Sequence, residues 1–160
     1  MAVDASLASL ERDPDALAAA VGVTVGAEWP PREAEAALGA WRAELLERPE
    51  SRGWFGWLWL HTADGELIGH GGFKGEPDAS GAVEIGYALV PSRQGQGYGS
   101  EAVAALVAWA LSDPRVRRID AEASVDGHAS IALLRKLGFQ ELPATDPAVS
   151  RFGLVRGVRG

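Results

Sequence analysis

The residues best placed to do chemistry form a glycine-rich segment, residues 93–102, which reads Arg-Gln-Gly-Gln-Gly-Tyr-Gly-Ser-Glu-Ala. It follows residues 82–89, where residue types alternate with the period of a strand, and from about Gly97 onwards Ala, Val and Leu recur at helical spacing. The glycines therefore lie where a strand passes into a helix N-terminus. First-turn amides there lack helical partners and carry partial positive charge. This arrangement predicts a phosphate-binding loop.

Two common kinds of phosphate loop fit this segment poorly. A Walker loop ends in Gly-Lys-Ser/Thr, and neither lysine nor threonine occurs between Gly95 and Glu101. A dinucleotide-binding fingerprint needs a third glycine where Ser100 stands. Although Asp120 lies about 20 residues further on, as that fingerprint requires, the chain is too short for the repeated βαβ units. A third kind of loop is considered below.

Composition limits the remaining possibilities. The 160 residues are 47% hydrophobic, which predicts a single domain over residues 1–160 with its own core. The chain has no cysteine, which excludes disulfides, a thiolate nucleophile and Cys-ligated zinc, and three scattered histidines argue against a metal site. A net charge of −7 argues against nucleic acid as the main partner. It is compatible with a cationic acceptor such as an amine, or with a role in solubility alone.

Nothing in the sequence predicts membrane insertion or export. No run of 18 or more apolar residues is present, and the first residues lack a basic leader followed by an apolar stretch. We therefore expect a protein without a membrane partner, located in the cytoplasm. Nothing in the chain distinguishes a monomer from a homodimer.

The order of predicted elements indicates an α+β fold. Residues 1–50 form a helical arm, with one helix after Asp13-Pro14 that closes at Gly22 and a second over residues 32–48. Strands are predicted at 54–60, 66–73 and 82–89 as an antiparallel set, then at 116–124 parallel to 82–89 because a helix joins them, and finally at 139–142 and 151–155. A further helix is predicted over residues 126–138, ended by a glycine.

The motif Gln94-x-x-Gly97-x-Gly99, followed by Ser100-Glu101-Ala102, resembles the pyrophosphate loop of the GNAT superfamily of acetyl-CoA-dependent N-acetyltransferases. The strand before it, Glu84-Ile85-Gly86-Tyr87, and the segment 126–139, which carries Ala129-Ser130 and ends in Leu-Gly-Phe, are also similar to GNAT proteins. Together the resemblance covers roughly residues 54–155. Within the superfamily, these motifs resemble most the ribosomal-protein N-terminal acetylases and their relatives.

The resemblance implies a GNAT fold, an α/β/α sandwich with a mixed twisted sheet of about six to seven strands flanked by helices. It implies that residues 1–50 cover the acceptor cleft, where Trp29 and Trp41 either line the pocket or pack in the core. Residues 82–139 would form the acetyl-CoA-binding core. The residues expected to contact acetyl-CoA are Leu89 and Val90, whose amides hold the pantetheine arm and polarise the thioester carbonyl, and Gln94, Gly95, Gln96, Gly97, Tyr98, Gly99, Ser100, Gly127 and Ser130. Arg93, Arg135 and Lys136 are candidates to reach the nucleotide phosphates.

Two positions depart from the family pattern. Gly127 stands where an asparagine usually helps to hold the pantetheine arm, which puts that contact in question. Leu134 stands where many members carry a tyrosine that reprotonates the departing thiolate. Ser130, one turn earlier, is then the candidate hydroxyl near the sulfur.

The reaction also needs a base, because an aliphatic amine is protonated near neutral pH. Glu84, in the strand before the phosphate loop, is the candidate general base, acting directly or through water; alternatively, it is an exposed or ion-paired strand carboxylate.

Three functions remain open. The chain is an N-acetyltransferase for a peptide α-amine or a small-molecule amine, an acyl-CoA-binding module without efficient catalysis, or a non-enzymatic interaction domain that uses Trp54, Trp57 and Trp59.

Overall fold

The computed structural model describes residues 1–3, 13–31 and 34–157, and side chains are not described for residues 34–39. Within these ranges a mixed seven-stranded sheet is flanked by four α-helices, which confirms the predicted α+β fold. The elements are α1 (Pro14–Val21), β1 (Thr24–Val25), α2 (Ala34–Glu47), β2 (Trp57–Leu60), β3 (Glu66–Phe73), β4 (Ala82–Leu89), α3 (Tyr98–Ser112), β5 (Arg118–Ser124), α4 (His128–Lys136), β6 (Gln140–Leu142) and β7 (Val149–Val155). Short 3₁₀ turns, Pro49–Ser51 and Pro91–Arg93, follow α2 and β4.

The strand order of the sheet agrees with the predicted pairing. β2, β3 and β4 are antiparallel neighbours, β5 lies parallel to β4, and β7 and β6 continue the sheet in antiparallel pairs. The short β1, which the sequence did not predict, pairs in parallel with β3. The predicted start of the first aromatic strand is wrong: residues 54 and 55 form a turn whose carbonyls accept the Phe73 amide, so β2 begins only at Trp57.

Helices cover the two faces of the sheet differently. On one face α3 and α4 pack side by side: a Cβ built on Gly99 in α3 would lie 3.1 Å from the Leu89 side chain of β4 and 3.2 Å from the Leu133 side chain of α4. The other face carries the arm, where the buried Trp29 and Trp41 rings contact the ring of His70 in β3. These two tryptophans are core residues. Layers on both faces make the α/β/α sandwich.

The ends of the arm helices follow the predicted signals. The Asp13 side chain accepts a hydrogen bond from the Ala16 amide at the start of α1, and Gly22 ends that helix in a left-handed conformation. Helix α2 ends at Glu47, and Pro49 then opens a 3₁₀ turn. The predicted beginning of this second helix, residues 32 and 33, lies outside the described residues.

None of the helices in the described residues combines the length and hydropathy needed to cross a bilayer. Nor do the same residues bring three or more histidine or acidic side chains together as a metal site.

Candidate active site

A cleft opens where β4 and β5 diverge. The two strands pair from Ala82 to Ile85 against Arg118 to Ala121, and beyond Ile85 the described structure pairs β4 with β3 alone. The resulting cleft has a volume of about 920 Å³. It is lined by the free ends of β4 and β5, by the glycine-rich loop and by α4; the lining includes Gly86, Tyr87, Leu89, Gln94, Gly95, Gly97, Gly99, Ser100, Glu122, Asp126, Gly127, His128, Ser130 and Lys136.

Backbone groups of β4 face this cleft at alternate residues. The Val90 amide donates to the Ile68 carbonyl at 2.9 Å, and the Glu84 carbonyl accepts from the Lys74 amide at 2.9 Å, so the even-numbered residues bond to β3. The amides of Tyr87 and Leu89 therefore point towards the cleft. The expectation that both Leu89 and Val90 offer amides to a ligand fits only Leu89, because Val90 is buried and its amide is already bonded.

The glycine-rich loop has the geometry of an anion site. Gly95 and Gly97 have φ angles of 72° and 91°, left-handed conformations that favour glycine. Helix α3 begins directly afterwards at Tyr98. The amides of Tyr98, Gly99 and Ser100 lie in its first turn and therefore have no hydrogen-bond acceptor within the helix. A Cβ built on Gly95 or Gly97 meets no atom of the described residues within 4 Å. A phosphate can thus approach this backbone closely.

The side chains of the loop stabilise its own shape. The Gln94 side-chain amide donates to the Leu89 carbonyl at 3.1 Å, and that of Gln96 to the Ser92 carbonyl at 2.9 Å. The Tyr98 hydroxyl lies 3.0 Å from Nε2 of His61, on the hairpin between β2 and β3. Gln96 and Tyr98 are not among the lining residues of the cleft. These contacts indicate that the loop would contact a phosphate mainly through its backbone.

Charges behind the loop are paired with one another. Arg93 forms ion pairs with Asp64, at 2.7 Å, and with Glu66, and Nδ1 of His61 lies 2.8 Å from Asp64. The hydrogen bonds from Arg93 and then from His61 hold the pKa of the Asp64 carboxyl well below its usual range. Arg93 is therefore committed to these carboxylates. Of the other candidate cations, Arg135 pairs with Glu141, whereas Lys136 lines the cleft.

Two hydroxyl groups meet inside the cleft. The Tyr87 hydroxyl of β4 and Oγ of Ser130 in α4 are 2.8 Å apart, and the Tyr87 ring stacks against Trp59. Burial raises the pKa of the Tyr87 phenol, which keeps it protonated at neutral pH. Sequence reasoning treated Tyr87 only as a strand residue. The structure places a phenol beside Ser130 even though Leu134, at the position where a tyrosine is usual, is fully buried in the core.

Glu84 lies on the opposite face of β4 from Tyr87, because side chains alternate along a strand. Its carboxylate forms an ion pair with Lys74, and its side chain is 31% exposed. Glu84 is not among the lining residues of the cleft, where the carboxylates of the described residues are Glu122 and Asp126. Glu84 lies one register position before the strands diverge, opposite Asp120.

Gly127 precedes α4 and lines the cleft. Its amide donates to the Ser124 carbonyl at 2.8 Å, and a Cβ built on it would lie 3.0 Å from the same oxygen. A side chain here would crowd this turn. The position therefore offers backbone to a ligand where an asparagine side chain was the usual contact.

Comparisons with known proteins agree with this geometry. Residues 2–140 match the family model described as acetyltransferase (GNAT) domain. The chain is 35% identical over 119 residues to the uncharacterized N-acetyltransferase YjdG of Bacillus subtilis (strain 168), covering 74% of this chain and 71% of that protein. It is 37% identical over 76 residues to the uncharacterized N-acetyltransferase p20 of Bacillus licheniformis, covering 48% of this chain and 43% of that protein.

Solved structures share the fold at low sequence identity. The ribosomal-protein-S5-alanine acetyltransferase from Vibrio fischeri has a TM-score of 0.66 at 18% identity, with 97% of this chain and 91% of that chain covered. The ribosomal L7/L12 α-N-protein acetyltransferase RimL, solved in complex with coenzyme A, has a TM-score of 0.64 at 20% identity, with 96% and 91% covered. With the family match over most of its length, the chain belongs to the GNAT acetyltransferase family.

Proposed function

We propose that this protein transfers an acetyl group from acetyl-CoA directly to a primary amine, either the N-terminal α-amine of a protein or peptide or an amine of a small molecule. The observation that carries the proposal is the cleft between β4 and β5. It brings the glycine loop, the Leu89 amide and the Tyr87–Ser130 hydroxyl pair to one continuous surface. The proposal extends to the cytoplasm, where acetyl-CoA is available, and to a monomer or homodimer.

The residues of the cleft fit acetyl-CoA in a defined direction. The amides of Gly97, Gly99 and Ser100 would hold the pyrophosphate, with Lys136 as the lining cation for the phosphates. The Leu89 amide would donate to the pantetheine arm or to the thioester carbonyl, where a fixed donor stabilises developing negative charge by about 3 kcal/mol. When bound, acetyl-CoA supplies an activated acyl group. The chain's own groups orient it and move protons.

Glu84 is the proposed general base. Loss of a proton makes the acceptor nitrogen nucleophilic, and its lone pair then forms the C–N bond as the C–S bond breaks. The proton passes to the Glu84 carboxylate either directly or through a water molecule. A water molecule could bridge the distance, since the Glu84 side chain lies outside the lining of the cleft. No covalent acyl-enzyme is needed.

Ser130 is the proposed proton donor to the departing thiolate. Its hydroxyl lies in the cleft and is hydrogen-bonded to the Tyr87 phenol, so a proton given up by Ser130 can be replaced from Tyr87. The electron pair of the broken C–S bond remains on sulfur and receives that proton. The second proton that the nitrogen loses on becoming an amide restores the Tyr87–Ser130 pair, so the thiol and the amide are the neutral products and Glu84 holds the one proton released.

A second candidate function, binding of an acyl-CoA without efficient transfer, is favoured by two specific observations. Gly127 provides no side chain for the pantetheine arm, and Leu134 is a core residue where a proton-donating tyrosine is usual. The interaction-domain alternative has less support, because Trp54 and Trp59 are buried in the core and do not form an exposed aromatic surface.

The acetyltransferase and the acyl-CoA-binding module are distinguished by measuring CoA release from acetyl-CoA with a panel of peptides that have free α-amines, polyamines and aminoglycosides. Calorimetric titration of acetyl-CoA is carried out in parallel. Turnover with one acceptor class supports the acetyltransferase and identifies that class. Binding of acetyl-CoA without turnover of any acceptor supports the binding module. If acetyl-CoA neither binds nor is turned over, both candidate functions are refuted.

A further inference from the structure

On the arm-facing side of the sheet, the described residues leave a space open at Gly86. A Cβ built on Gly86 meets no atom of the described residues within 4 Å. One strand away, on the same face, a Cβ on the paired Gly72 would lie only 1.6 Å from the Phe55 carbonyl oxygen. The turn before β2 thus covers the sheet at Gly72 and stops short of Gly86, which is exposed and lines the cleft.

Among the described residues, this space is the side on which an acceptor would have access to the cleft. The other face of β4 is occupied by α3 and α4, since a Cβ built on Gly99 of α3 would lie within 3.2 Å of the Leu89 and Leu133 side chains there. On the arm-facing side, Glu84 precedes Gly86 by two residues and therefore points to the same face. An amine placed over Gly86 would lie next to the proposed base, at the point where the two strands diverge.

Glu122 is the carboxylate on the far side of that space. The last paired residues of the two strands are Ile85 and Ala121, so Gly86 and Glu122 are the first residues of β4 and β5 beyond the pairing. Glu122 shares a face with Asp120, which is the register partner of Glu84. Like Gly86, it lines the cleft.

The ion pair of Glu122 is weak enough to be exchanged. Its Oε1 lies 3.6 Å from Nε of Arg151, with the two side chains 45% and 40% exposed. The neighbouring Asp120 is held by Arg118 at 2.7 Å and is only 15% exposed. Long, exposed ion pairs contribute little to stability, so an incoming cation competes with Arg151 at small cost.

We propose that Glu122 binds the ammonium form of the acceptor over Gly86, before Glu84 removes its proton. This inference rests on the proposed acetyltransferase function and names its substrate class. The acceptors are aliphatic primary amines, which are cationic near neutral pH, and arylamines, which are neutral there, are poor substrates.

The test compares Glu122→Gln, Gly86→Val and the control Glu141→Gln in steady-state assays with the best aliphatic amine of the panel. Glu141 is an exposed carboxylate of β6 paired with Arg135, so its substitution removes the same charge outside the cleft. Loss of the charged hydrogen-bond acceptor in Glu122→Gln is expected to raise the acceptor KM about 10- to 100-fold. Gly86→Val fills the space and is expected to raise the acceptor KM at least as much. In Glu122→Gln and Glu141→Gln the acetyl-CoA dissociation constant should stay within about twofold, and Glu141→Gln should match the wild type.

The outcomes separate this inference from the function on which it rests. If the wild type turns over and the acceptor KM of Glu122→Gln equals that of the wild type, the inference is refuted and the proposed function is not. An equal effect of Glu141→Gln, or a parallel loss of acetyl-CoA affinity in Glu122→Gln, would also refute the inference. Wild-type protein that neither binds nor acetylates any amine in the presence of acetyl-CoA would refute the proposed function, and this inference with it.

Discussion

The contact between Tyr87 and Ser130 gives a prediction that a double-mutant cycle can test. The variants are Tyr87→Phe, Ser130→Ala and the combination of both. Phenylalanine retains the ring that stacks on Trp59 and removes only the hydroxyl, which lies 2.8 Å from Oγ of Ser130. The fold should therefore persist, and the change should act on the hydroxyl pair alone.

The size of each effect follows from the proposed proton path. Ser130→Ala removes the donor to the thiolate and is expected to lower kcat about 100-fold, at the low end for general acid catalysis. Tyr87→Phe removes one hydrogen bond to that donor, which contributes about 1.4 kcal/mol, or about 10-fold in kcat. The double variant should be no slower than Ser130→Ala, because Tyr87 acts through Ser130. Independent roles would instead multiply to about 1,000-fold.

The assay measures CoA release at saturating acetyl-CoA across the pH range, with acetyl-CoA affinity measured separately by calorimetry. The other tyrosine of the chain supplies a matched control, since Tyr98→Phe also removes a single bonded hydroxyl, here the one 3.0 Å from His61 behind the loop. Tyr98→Phe should leave kcat nearly unchanged. Multiplicative losses in the double variant, or full activity of Ser130→Ala, would refute the proton path.

Three further predictions follow from the site and its surroundings. Gly97→Ala, at a φ of 91°, should cost about 1–2 kcal/mol in the loop and weaken acetyl-CoA binding about 10-fold by calorimetry, whereas Gly157→Ala, which has no left-handed φ, should leave the affinity unchanged. Glu84→Gln should lower kcat about 100-fold or more, and unchanged turnover at every pH would contradict the assignment of the base. Burial lowers the pKa of His70 to about 4, so its neutral form is favoured in the fold and the unfolded chain binds protons first as the pH falls below about 6.5. Urea titrations should show wild-type stability falling with that acidification, by up to about 1.4 kcal/mol per pH unit down to pH 4, and His70→Leu should lose this part of the slope.

The parts of the site set by local sequence could be predicted. Gly95 and Gly97 are required where the backbone turns left-handed before a helix, so their spacing alone indicates the loop. Strand order also follows, because a helix joins β4 to β5, whereas short loops join β2 to β3 and β3 to β4. The start of β2 was predicted at Trp54 because aromatic residues favour strands, but the carbonyls of this turn bond to Phe73 instead.

The parts set by tertiary packing could not be predicted. Tyr87 and Ser130 are 43 residues apart, and only the packing of α4 on β4 brings their hydroxyls together. The direction of the Val90 amide depends on the register of β3 against β4, which decides which alternate residues face the cleft. Glu122 looks like an ordinary exposed strand residue in the sequence. Its position at the point where the strands diverge becomes visible only once the register is known.

The most direct test of the central claim is a titration of isotopically labelled protein with acetyl-CoA, followed through backbone amide resonances by NMR. The account predicts large shifts at Leu89, Gly97, Gly99 and Ser100, and a much smaller change at Val90, whose amide is bonded to Ile68. An absence of shifts at saturating acetyl-CoA, or shifts confined to residues outside the cleft, would contradict the assignment of this cleft as the acetyl-CoA site.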